Sequence, residues 1–301
     1  MSDPGLPTTA GHADLERWVR EAEDDPGQQA LRRVIRIVIH AVAHSDELRE
    51  MMVIKGGVLL ATAYHTGRHT LDVDFSTRLL ARDVDIDKLC QRLNTALESS
   101  SAMLGESLAC RVQRKTLQPP RQDATFPTLR IRIGYAERGS KAQNRLERGS
   151  SPHVVIVDLS FNEDLGQPVA LRINDHEHIQ AYSLTAQIAE KYRALIQQQE
   201  SLRNRVRRQD AYDIFCILEQ GHFDQPEAQA ELVGAIRESC HSRDVKADAD
   251  SMKPEEIRRR ARQEFDQLQF ELDDELPDFD EMFDRVADFY ASLPWNSGDS
   301  G

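Results

Sequence analysis

Hydrophobic and polar positions along the first 180 residues predict a mixture of strands and helices. Apolar residues recur at helical spacing in residues 28–50 and 85–101, which predicts two amphipathic helices. Shorter apolar segments predict helices at 14–22 and 58–64. Alternating or continuous apolar runs between turn residues predict strands. The predicted strands are residues 52–54, 70–76, 109–117, 128–135, 153–161 and 169–173.

The pattern changes from Ser183 onward, where no strand pattern remains and helical spacing dominates. The predicted helices are residues 183–199, 209–219, 225–240, 254–270 and 279–291. We predict disorder for residues 1–12 and a mobile loop for residues 136–151, which are rich in Gly, Ser and charge. The chain is therefore predicted to contain an α+β domain, residues 1–178, followed by a helical domain, residues 179–301.

Asp72 and Asp74 flank Val73 in a predicted strand. Side chains two positions apart in a strand point to the same face, so both carboxylates are expected to project together while Leu71, Val73 and Phe75 face the core. Two adjacent carboxylates repel each other unless a cation lies between them. Mg²⁺ usually binds one or two carboxylates together with substrate phosphates. The pair predicts a magnesium site; a polar strand face in water is the alternative.

A glycine pair, Gly56 and Gly57, lies between the predicted strand 52–54 and the predicted helix 58–64. Glycine lets the backbone approach a phosphate closely, and a helix N-terminus offers unpaired N–H groups to an anion. Neither a Gly-Gly pair nor an Asp-x-Asp pair is specific alone. Their order along the chain fits nucleotidyl transfer, which needs backbone groups for phosphates and carboxylates for Mg²⁺.

Asp158 lies within the apolar strand sequence VVIVDLSF. A charge among residues that favour burial costs free energy unless it is paired or bound to a metal. If this strand lies beside the Asp72–Asp74 strand, Asp158 is a candidate third metal ligand or a base that accepts a proton from an attacking hydroxyl. The alternative is an aspartate at a strand end, capped by the turn at residues 162–164.

The helical half holds a second group of candidate residues. Lys191 lies among apolar residues of a predicted helix, where it either extends to water or binds a triphosphate as a point charge. Asp210 and Asp213 are three positions apart and share one helix face. Which of the two faces a site stays open, although the spacing from Lys191 favours Asp213. The alternative is a surface ion pair with Arg208, which would contribute little stability.

Charge is unevenly distributed along a chain whose net charge is −13. Residues 111–148 contain ten Lys or Arg and three acids, whereas residues 271–284 contain eight acids and no base. An acidic chain with a local basic face is compatible with nucleic-acid binding, and Lys141, Arg145 and Arg148 are the predicted contacts. Solvated arginine faces are the alternative.

The chain shows no sign of export or of membrane insertion. No apolar run approaches the length of a membrane span, and the N-terminus lacks the pattern of a secretory signal. The four cysteines are far apart and form no Cys-x-x-Cys pair, so we expect them to be reduced. These features favour a cytoplasmic protein without a membrane partner.

Three sequence elements, in a fixed order, together carry a family resemblance. The first consists of Lys55-Gly56-Gly57, an apolar helix with Leu59-Leu60, Arg68, and Asp72-Val73-Asp74-Phe75-Ser76. The second is AEKYRAL at residues 189–195, and the third is RRQDAYDI at residues 207–214. Over about residues 30–220 the chain resembles the AbiEii-type nucleotidyltransferases, which include the MenT-like toxins of toxin–antitoxin systems.

The resemblance implies a polymerase-β-like nucleotidyltransferase core with a small mixed sheet, followed by a helical lobe. It implies Mg²⁺ as cofactor and an NTP as substrate. It also implies a toxin that adds nucleotides to an RNA acceptor, which in MenT-like relatives is the 3′ end of tRNA, so that aminoacylation and translation stop. An antitoxin protein from the adjoining gene is the expected partner.

Roles for the matching residues follow from the resemblance together with their chemistry. We predict that Asp72 and Asp74 bind Mg²⁺ and that Lys191 neutralises charge on the leaving pyrophosphate. Asp213 orients Lys191 or a nucleotide group, and Asp158 is a third acid. The predicted nucleotide-binding residues are Lys55, Gly56, Gly57, Arg68 and Asp210.

Two departures from the family pattern bear on these roles. Val58 stands where the family often has Thr or Ser, so one hydroxyl contact to phosphate is absent. Gln209 separates Arg208 from Asp210, where the family often has Arg-Asp. Three rival functions stay open. They are transfer of a nucleotide to a protein or small-molecule hydroxyl, a non-catalytic binding protein that keeps the fold, and a plain α+β regulatory domain.

Overall fold

The computed structural model describes residues 10–121, 123–199, 206–272 and 274–296. The chain forms two compact units. The first comprises Met1–Ala63 and Thr70–Tyr182, and the second comprises Tyr64–His69 and Ser183–Gly301. No helix among the described residues has both the length and the apolar character needed to span a bilayer.

The first unit is built on one sheet of eight described strands, which pair in the order β1-β7-β8-β2-β3-β6-β5-β4. The sheet is mixed: β3 pairs with β6 in parallel, whereas β2–β3, β5–β6 and β4–β5 are antiparallel. The strands are β1 (Ala10–His12), β2 (Val53–Lys55), β3 (Asp72–Ser76), β4 (Leu108–Gln118), β5 (Thr128–Glu137), β6 (Val154–Ser160), β7 (Val169–Arg172) and β8 (His178–Ala181).

One face of the central strands is apolar and covered by helices. Val73, Phe75, Val157 and Ile131 are completely buried on this face, as strand alternation requires. Helix α2 packs against α5 and against β6 and β8, and α5 packs against β4. The helices of this unit are α1 (Leu15–Arg20), α2 (Pro26–His44), α3 (Asp46–Met51), α4 (Gly56–Ala63), α5 (Ile86–Met103) and α6 (Lys141–Glu147).

The described residues of the second unit form helices joined by turns and loops, with one isolated bridge between Arg68 and Leu272. Helix α7 begins after Ser183, whose side chain accepts a hydrogen bond from the N–H of Ala186 at 3.1 Å and so caps the helix. The helices are α7 (Leu184–Ile196), α8 (Arg208–Glu219), α9 (Pro226–His241), α10 (Glu255–Arg262) and α11 (Phe279–Ser292).

Two predicted helices are interrupted. The predicted helix 28–50 breaks at Ser45, which has extended backbone angles and precedes the acidic first turn of α3. The predicted helix 254–270 ends after Arg262, because Gln263 leaves the helical region with ψ 121° and Glu264 then adopts a left-handed conformation with φ 58°. A 3₁₀ segment, Phe265–Glu271, follows. Apolar spacing continues across both breaks, so periodicity alone did not reveal them.

Three further predictions were wrong. Residues 136–151 contain α6, which Ser140 caps and Leu146 anchors in the core. Part of the predicted disordered N-terminus, Ala10–His12, forms β1 beside β7, whereas residues 1–9 lie outside the described residues. Leu71 is 62% exposed, because it precedes the first residue of β3 and escapes the alternation. Strand β8 was not predicted.

Candidate active site

Asp72 and Asp74 project from β3 onto the face of the sheet opposite the apolar core. Val73, between the two aspartates, and Phe75, directly after Asp74, are fully buried, whereas both aspartates are half-buried. The condition set for Asp158 is met, since its strand, β6, runs parallel to β3 and Asp158 lies directly beside Asp74. Residues directly opposite each other share a face, so the three carboxylates lie on one acidic surface.

Gly56 begins α4 at the end of β2 and is packed directly against Asp74. Lys55 pairs with Asp74 across β2 and β3, which brings the start of α4 to the acid pair. Gly56 has φ +77°, and a Cβ built on it would lie 2.2 Å from Oδ2 of Asp74. Both the backbone conformation and the close carboxylate therefore require glycine at this position. Val58, at the departure from the family pattern, is fully buried.

Gly56→Ala is expected to destabilise the first unit by more than 2 kcal/mol. A left-handed conformation costs a residue with a Cβ about 1–2 kcal/mol, and the contact with Asp74 adds to that cost. The matched control is Gly149→Ala, at φ +74° with nothing within 4 Å of its Cβ, which bears the backbone strain alone. Urea denaturation of both variants measures the difference. Equal losses at the two positions would contradict the predicted clash.

Asp158 is held by Arg130, a residue that the sequence did not single out. Arg130 Nε donates to Oδ1 at 3.0 Å and Nη2 donates to Oδ2 at 2.7 Å, which is a bidentate pair. Arg130 lies on β5 directly opposite Asp158 on β6. The alternative of an Asp158 capped by the turn at 162–164 is therefore wrong, because the carboxylate lies within the strand and is bound across it.

The acid surface has the donor chemistry of a magnesium site. Partial burial raises the pKa of the Asp72 carboxyl; the charge of Asp158 adds to the effect and the Arg130 guanidinium opposes it. Within the described ranges, no cluster of three or more His, Cys, Asp or Glu side chains is arranged to hold a metal. Mg²⁺ bound together with substrate phosphates needs one or two carboxylates, and Asp72 with Asp74 fits that requirement.

Lys191 lies in a separate cluster within the second unit, where two acids bind it. Its Nζ donates to Asp213 Oδ2 at 2.8 Å and to Asp210 Oδ1 at 3.2 Å. The ammonium does not extend to water, because the Lys191 side chain is only 10% exposed. Both aspartates contact the lysine, and Asp213 is the completely buried one. Arg207 Nη1 also donates to Asp210, at 3.1 Å.

Arg68 completes this cluster by binding Asp213 in a bidentate pair. Its Nε and Nη2 donate to the two carboxylate oxygens at 3.0 and 3.1 Å, and its Nη1 donates to Glu271 at 3.3 Å. The alternative of a surface ion pair between Arg208 and these aspartates is wrong, because Arg208 binds Glu264 and Glu271 instead. The roles of Arg68 and Asp210 toward phosphate stay predictions.

Charge pairing overcomes the cost of burial in this cluster. Burial alone would lower the pKa of Lys191, but the charges of Asp213 and Asp210 outweigh it and hold that pKa above its usual value. Burial would raise the pKa of Asp213, but Arg68 and Lys191 outweigh it and hold that pKa below its usual value. Lys191 and Asp213 are therefore both charged at neutral pH.

The sequence-predicted site residues thus fall into two groups. Lys55, Gly56, Gly57, Asp72, Asp74 and Asp158 belong to the first unit, and Arg68, Lys191, Asp210 and Asp213 belong to the second. The roles of both groups in nucleotide transfer stay predictions. The basic residues Lys141 and Arg145 lie on α6 rather than on a loop, and Arg148 follows directly after it.

Sequence reasoning missed Arg130 and Glu271, the partners of Asp158 and Arg68. For Arg130 a signal existed, since it alternates with Leu129 and Ile131 and so had to face away from the core. Its pairing with Asp158 required the register of β5 and β6, which no local pattern gives. Glu271 lies 203 positions from Arg68, and no spacing rule connects them.

The chain is similar in fold to JHP933 from Helicobacter pylori, with a TM-score of 0.52 and 13% identity, over 89% of this chain and 93% of that one. The nucleotidyltransferase toxin MenT4 from Mycobacterium tuberculosis H37Rv aligns with a TM-score of 0.47 and 15% identity, over 93% of this chain and 98% of that one. No curated protein sequence matches significantly.

The predicted fold class is confirmed: the mixed sheet and the helices have the polymerase-β-like nucleotidyltransferase fold. The family model of the nucleotidyl transferase AbiEii toxin of type IV toxin–antitoxin systems matches residues 40–285. That match covers most of the chain, including all the candidate site residues. The chain therefore belongs to the AbiEii family of nucleotidyltransferase toxins, as the three sequence elements predicted.

Proposed function

We propose that the chain is a Mg²⁺-dependent toxin that transfers a nucleotide from an NTP to an RNA acceptor, the 3′ end of a tRNA. The observation that carries the proposal is the contact between the acid pair and the start of α4. Gly56 lies against Asp74, so backbone N–H groups at a helix N-terminus and two carboxylates are adjacent. A magnesium–triphosphate needs both kinds of group.

Asp72 and Asp74 are the metal ligands in this proposal. When bound, Mg²⁺ neutralises charge on the phosphates and orients them. The backbone N–H groups of Gly56 and Gly57 bind the β- and γ-phosphates, and Lys55 adds a positive charge at the end of β2. The acceptor 3′ hydroxyl oxygen forms a bond to the α-phosphorus, its proton passes to solvent water, and the bond from the α-phosphorus to the leaving pyrophosphate breaks.

Lys191 neutralises the charge that grows on pyrophosphate as that bond breaks. Its ammonium stays protonated because Asp213 and Asp210 bind it, and these contacts also fix its position. Arg68 contributes to phosphate binding chiefly by holding Asp213, which in turn binds Lys191. A direct contact between Arg68 and phosphate contributes less.

The cellular role follows from the acceptor. A tRNA whose 3′ end carries added nucleotides cannot be aminoacylated, so translation stops. Both substrates, NTP and tRNA, are present in the cytoplasm, where we propose that the protein acts. An antitoxin encoded beside it counteracts the toxin.

Incubation with total tRNA and each labelled NTP in turn tests the proposal. We expect label in RNA with at least one NTP, only when Mg²⁺ is present, and none with the Asp74→Ala variant. Label in protein rather than in RNA would show that the acceptor is a protein hydroxyl and not tRNA. Absence of label from every acceptor with all four NTPs would contradict nucleotidyl transfer itself.

A further inference from the structure

The acid pair has two sides, and only one of them adjoins α4. The order β2-β3-β6-β5-β4 places β2, with the start of α4, on one side of Asp72 and Asp74. Strands β6, β5 and β4 extend from the other side. If triphosphate binds at Gly56, the acceptor has to reach the α-phosphate from the side of β6 and β5.

Arginines line that other side of the sheet. The strand registers define two rows of neighbouring residues across the sheet. The first row runs Arg130, Asp158, Asp74. The second row runs Arg114, Arg132, Ile156, Asp72. Neighbours in register share a face, so all of these side chains lie on the acidic surface of the sheet. We call Arg114, Arg130 and Arg132 the arginine face.

The opposite orientation of the intervening residues supports this assignment. Lys115, next to Arg114, forms an ion pair with Asp87 of α5, which covers the other face of the sheet. Ile131 and Ile133, which flank Arg132, are completely buried. Arg114 and Arg132 are exposed and form no ion pair within the described residues.

The arginine face continues toward α6. A Cβ built on Gly134, two residues beyond Arg132, would lie 2.6 Å from the side chain of Gln113, so Gln113 lies on this same face. Gln113 and its neighbour Arg114 can share a face because the strand register shifts between Val112 and Arg114. The Gln113 amide donates to the carbonyl oxygen of Leu146 in α6 at 3.0 Å. Helix α6, with Lys141 and Arg145, therefore adjoins the far end of the arginine face.

Arg130 interacts electrostatically with both acids of the pair, Asp72 and Asp74, and its position is fixed. Asp158 binds it through two hydrogen bonds, and the side chains of Arg130 and Asp158 are 43% and 16% exposed. Arg130 stands two strand spacings from Asp74, which is roughly 10 Å between backbones. Asp158 occupies the Nε and Nη2 edge of the guanidinium, which leaves the N–H groups of Nη1 for a phosphate. A guanidinium held in this way is preorganised, because it loses little freedom on binding.

We propose that the arginine face binds the phosphodiester backbone of the acceptor's single-stranded 3′ end, with Arg130 on the phosphate nearest the attacking hydroxyl. The proposal rests on the proposed function for the location of the triphosphate. Charge complementarity selects the occupant, since the exposed Arg114 and Arg132, with Arg130 beside the acid pair, suit a polyanion that ends at a metal. Asp158 is then a positioning residue for Arg130, not a third metal ligand or a base.

The first test measures RNA affinity without Mg²⁺ or NTP, by fluorescence anisotropy of labelled, deacylated total tRNA. Arg130→Ala is expected to weaken binding about tenfold and to reduce the dependence of log K on log salt by about 0.7. Arg130→Lys keeps the charge and is expected to be intermediate. The matched control, Arg172→Ala, removes an exposed arginine on β7 and should change the affinity less than twofold. Equal effects of Arg130→Ala and Arg172→Ala would overturn the proposal.

The second test asks whether Asp158 acts through Arg130. Asp158→Ala is made in the wild-type protein and in Arg130→Ala, and the half-saturating concentrations of tRNA and of Mg²⁺ are measured in each. We expect Asp158→Ala to raise the half-saturating concentration of tRNA in the wild-type protein but not in Arg130→Ala. The half-saturating concentration of Mg²⁺ should be unchanged in both. A raised Mg²⁺ requirement in both backgrounds would make Asp158 a metal ligand and overturn its positioning role.

The two tests separate failure of this inference from failure of the proposed function. Binding without Mg²⁺ or NTP does not require transfer, so tRNA binding that depends on Arg130 supports the inference even if no NTP is used. Transfer to tRNA that depends on Asp74 but not on Arg130 would overturn the inference and leave the proposed function intact. Transfer to a protein hydroxyl with no tRNA affinity would overturn the inference as well.

Discussion

Asp74→Ala is expected to slow nucleotide transfer by about a thousandfold or more while leaving the melting temperature almost unchanged. A bound metal stabilises transition-state charge by several kcal/mol, and about 4 kcal/mol corresponds to about a thousandfold in rate. Asp74 lies on the polar face of β3, outside the apolar core, so its removal leaves the packing of the sheet in place. Single-turnover transfer of labelled NTP to total tRNA gives the rate, and thermal unfolding gives the stability.

Two further variants separate the loss of a metal ligand from other effects of Asp74→Ala. Asp74→Asn keeps the volume beside Gly56 and should lose nearly as much activity, because a neutral amide is a much weaker ligand for Mg²⁺. Asp83→Ala removes an acid that is 62% exposed in the same unit and should keep full activity. If Asp74→Asn retained more than a tenth of the wild-type rate, Asp74 would not be an essential metal ligand.

Local patterns in the sequence sufficed for the parts of the site that lie close together along the chain. The alternation around Val73 placed Asp72 and Asp74 on one face, and the structure agrees. The glycine pair marked the turn into α4, although only the structure shows why Gly56 is needed there: Asp74 occupies the space of its Cβ. Both results depend on the geometry of a few neighbouring residues, which strand and helix periodicity describe well.

Contacts between distant parts of the chain could not be predicted in the same way. Arg68 and Asp213 are 145 positions apart, and Arg130 and Asp158 are 28 apart on different strands. A sequence pattern predicts which face a residue occupies, but not which strand lies beside its own. The role considered for Asp158 therefore stayed open between metal ligand, base and capped aspartate, and none of these included the arginine that binds it.

Asp213→Asn is expected to lower the free energy of unfolding of the second unit by about 3–5 kcal/mol. Asp213 binds Arg68 and Lys191 and its side chain is 1% exposed. Breaking such a buried ion pair leaves charges that neither water nor a partner compensates, and losses of about this size result. Asp213 is therefore both a structural residue and a candidate site residue, unlike Asp74.

Fluorescence of Trp295 measures this loss in the second unit directly. The chain has two tryptophans, Trp18 in the first unit and Trp295 in the second, so urea unfolding in a Trp18→Phe background reports the second unit alone. The matched control is Asp210→Asn. Its side chain is 17% exposed and binds Lys191 and Arg207, so we expect a loss of about 1 kcal/mol or less.

The pH dependence of the same measurement distinguishes lost charge from lost packing. The pKa of Asp213 is lower in the folded protein than its usual value, because Arg68 and Lys191 outweigh the effect of burial. Its ion pairs therefore stabilise the fold above the unfolded carboxyl pKa of about 3.9, and this contribution disappears as pH falls through the lower folded-state pKa. The gap between wild type and Asp213→Asn should be full at neutral pH and shrink below about pH 4. A gap that stayed constant on acidification would attribute the loss to the packing of the amide, because packing does not titrate.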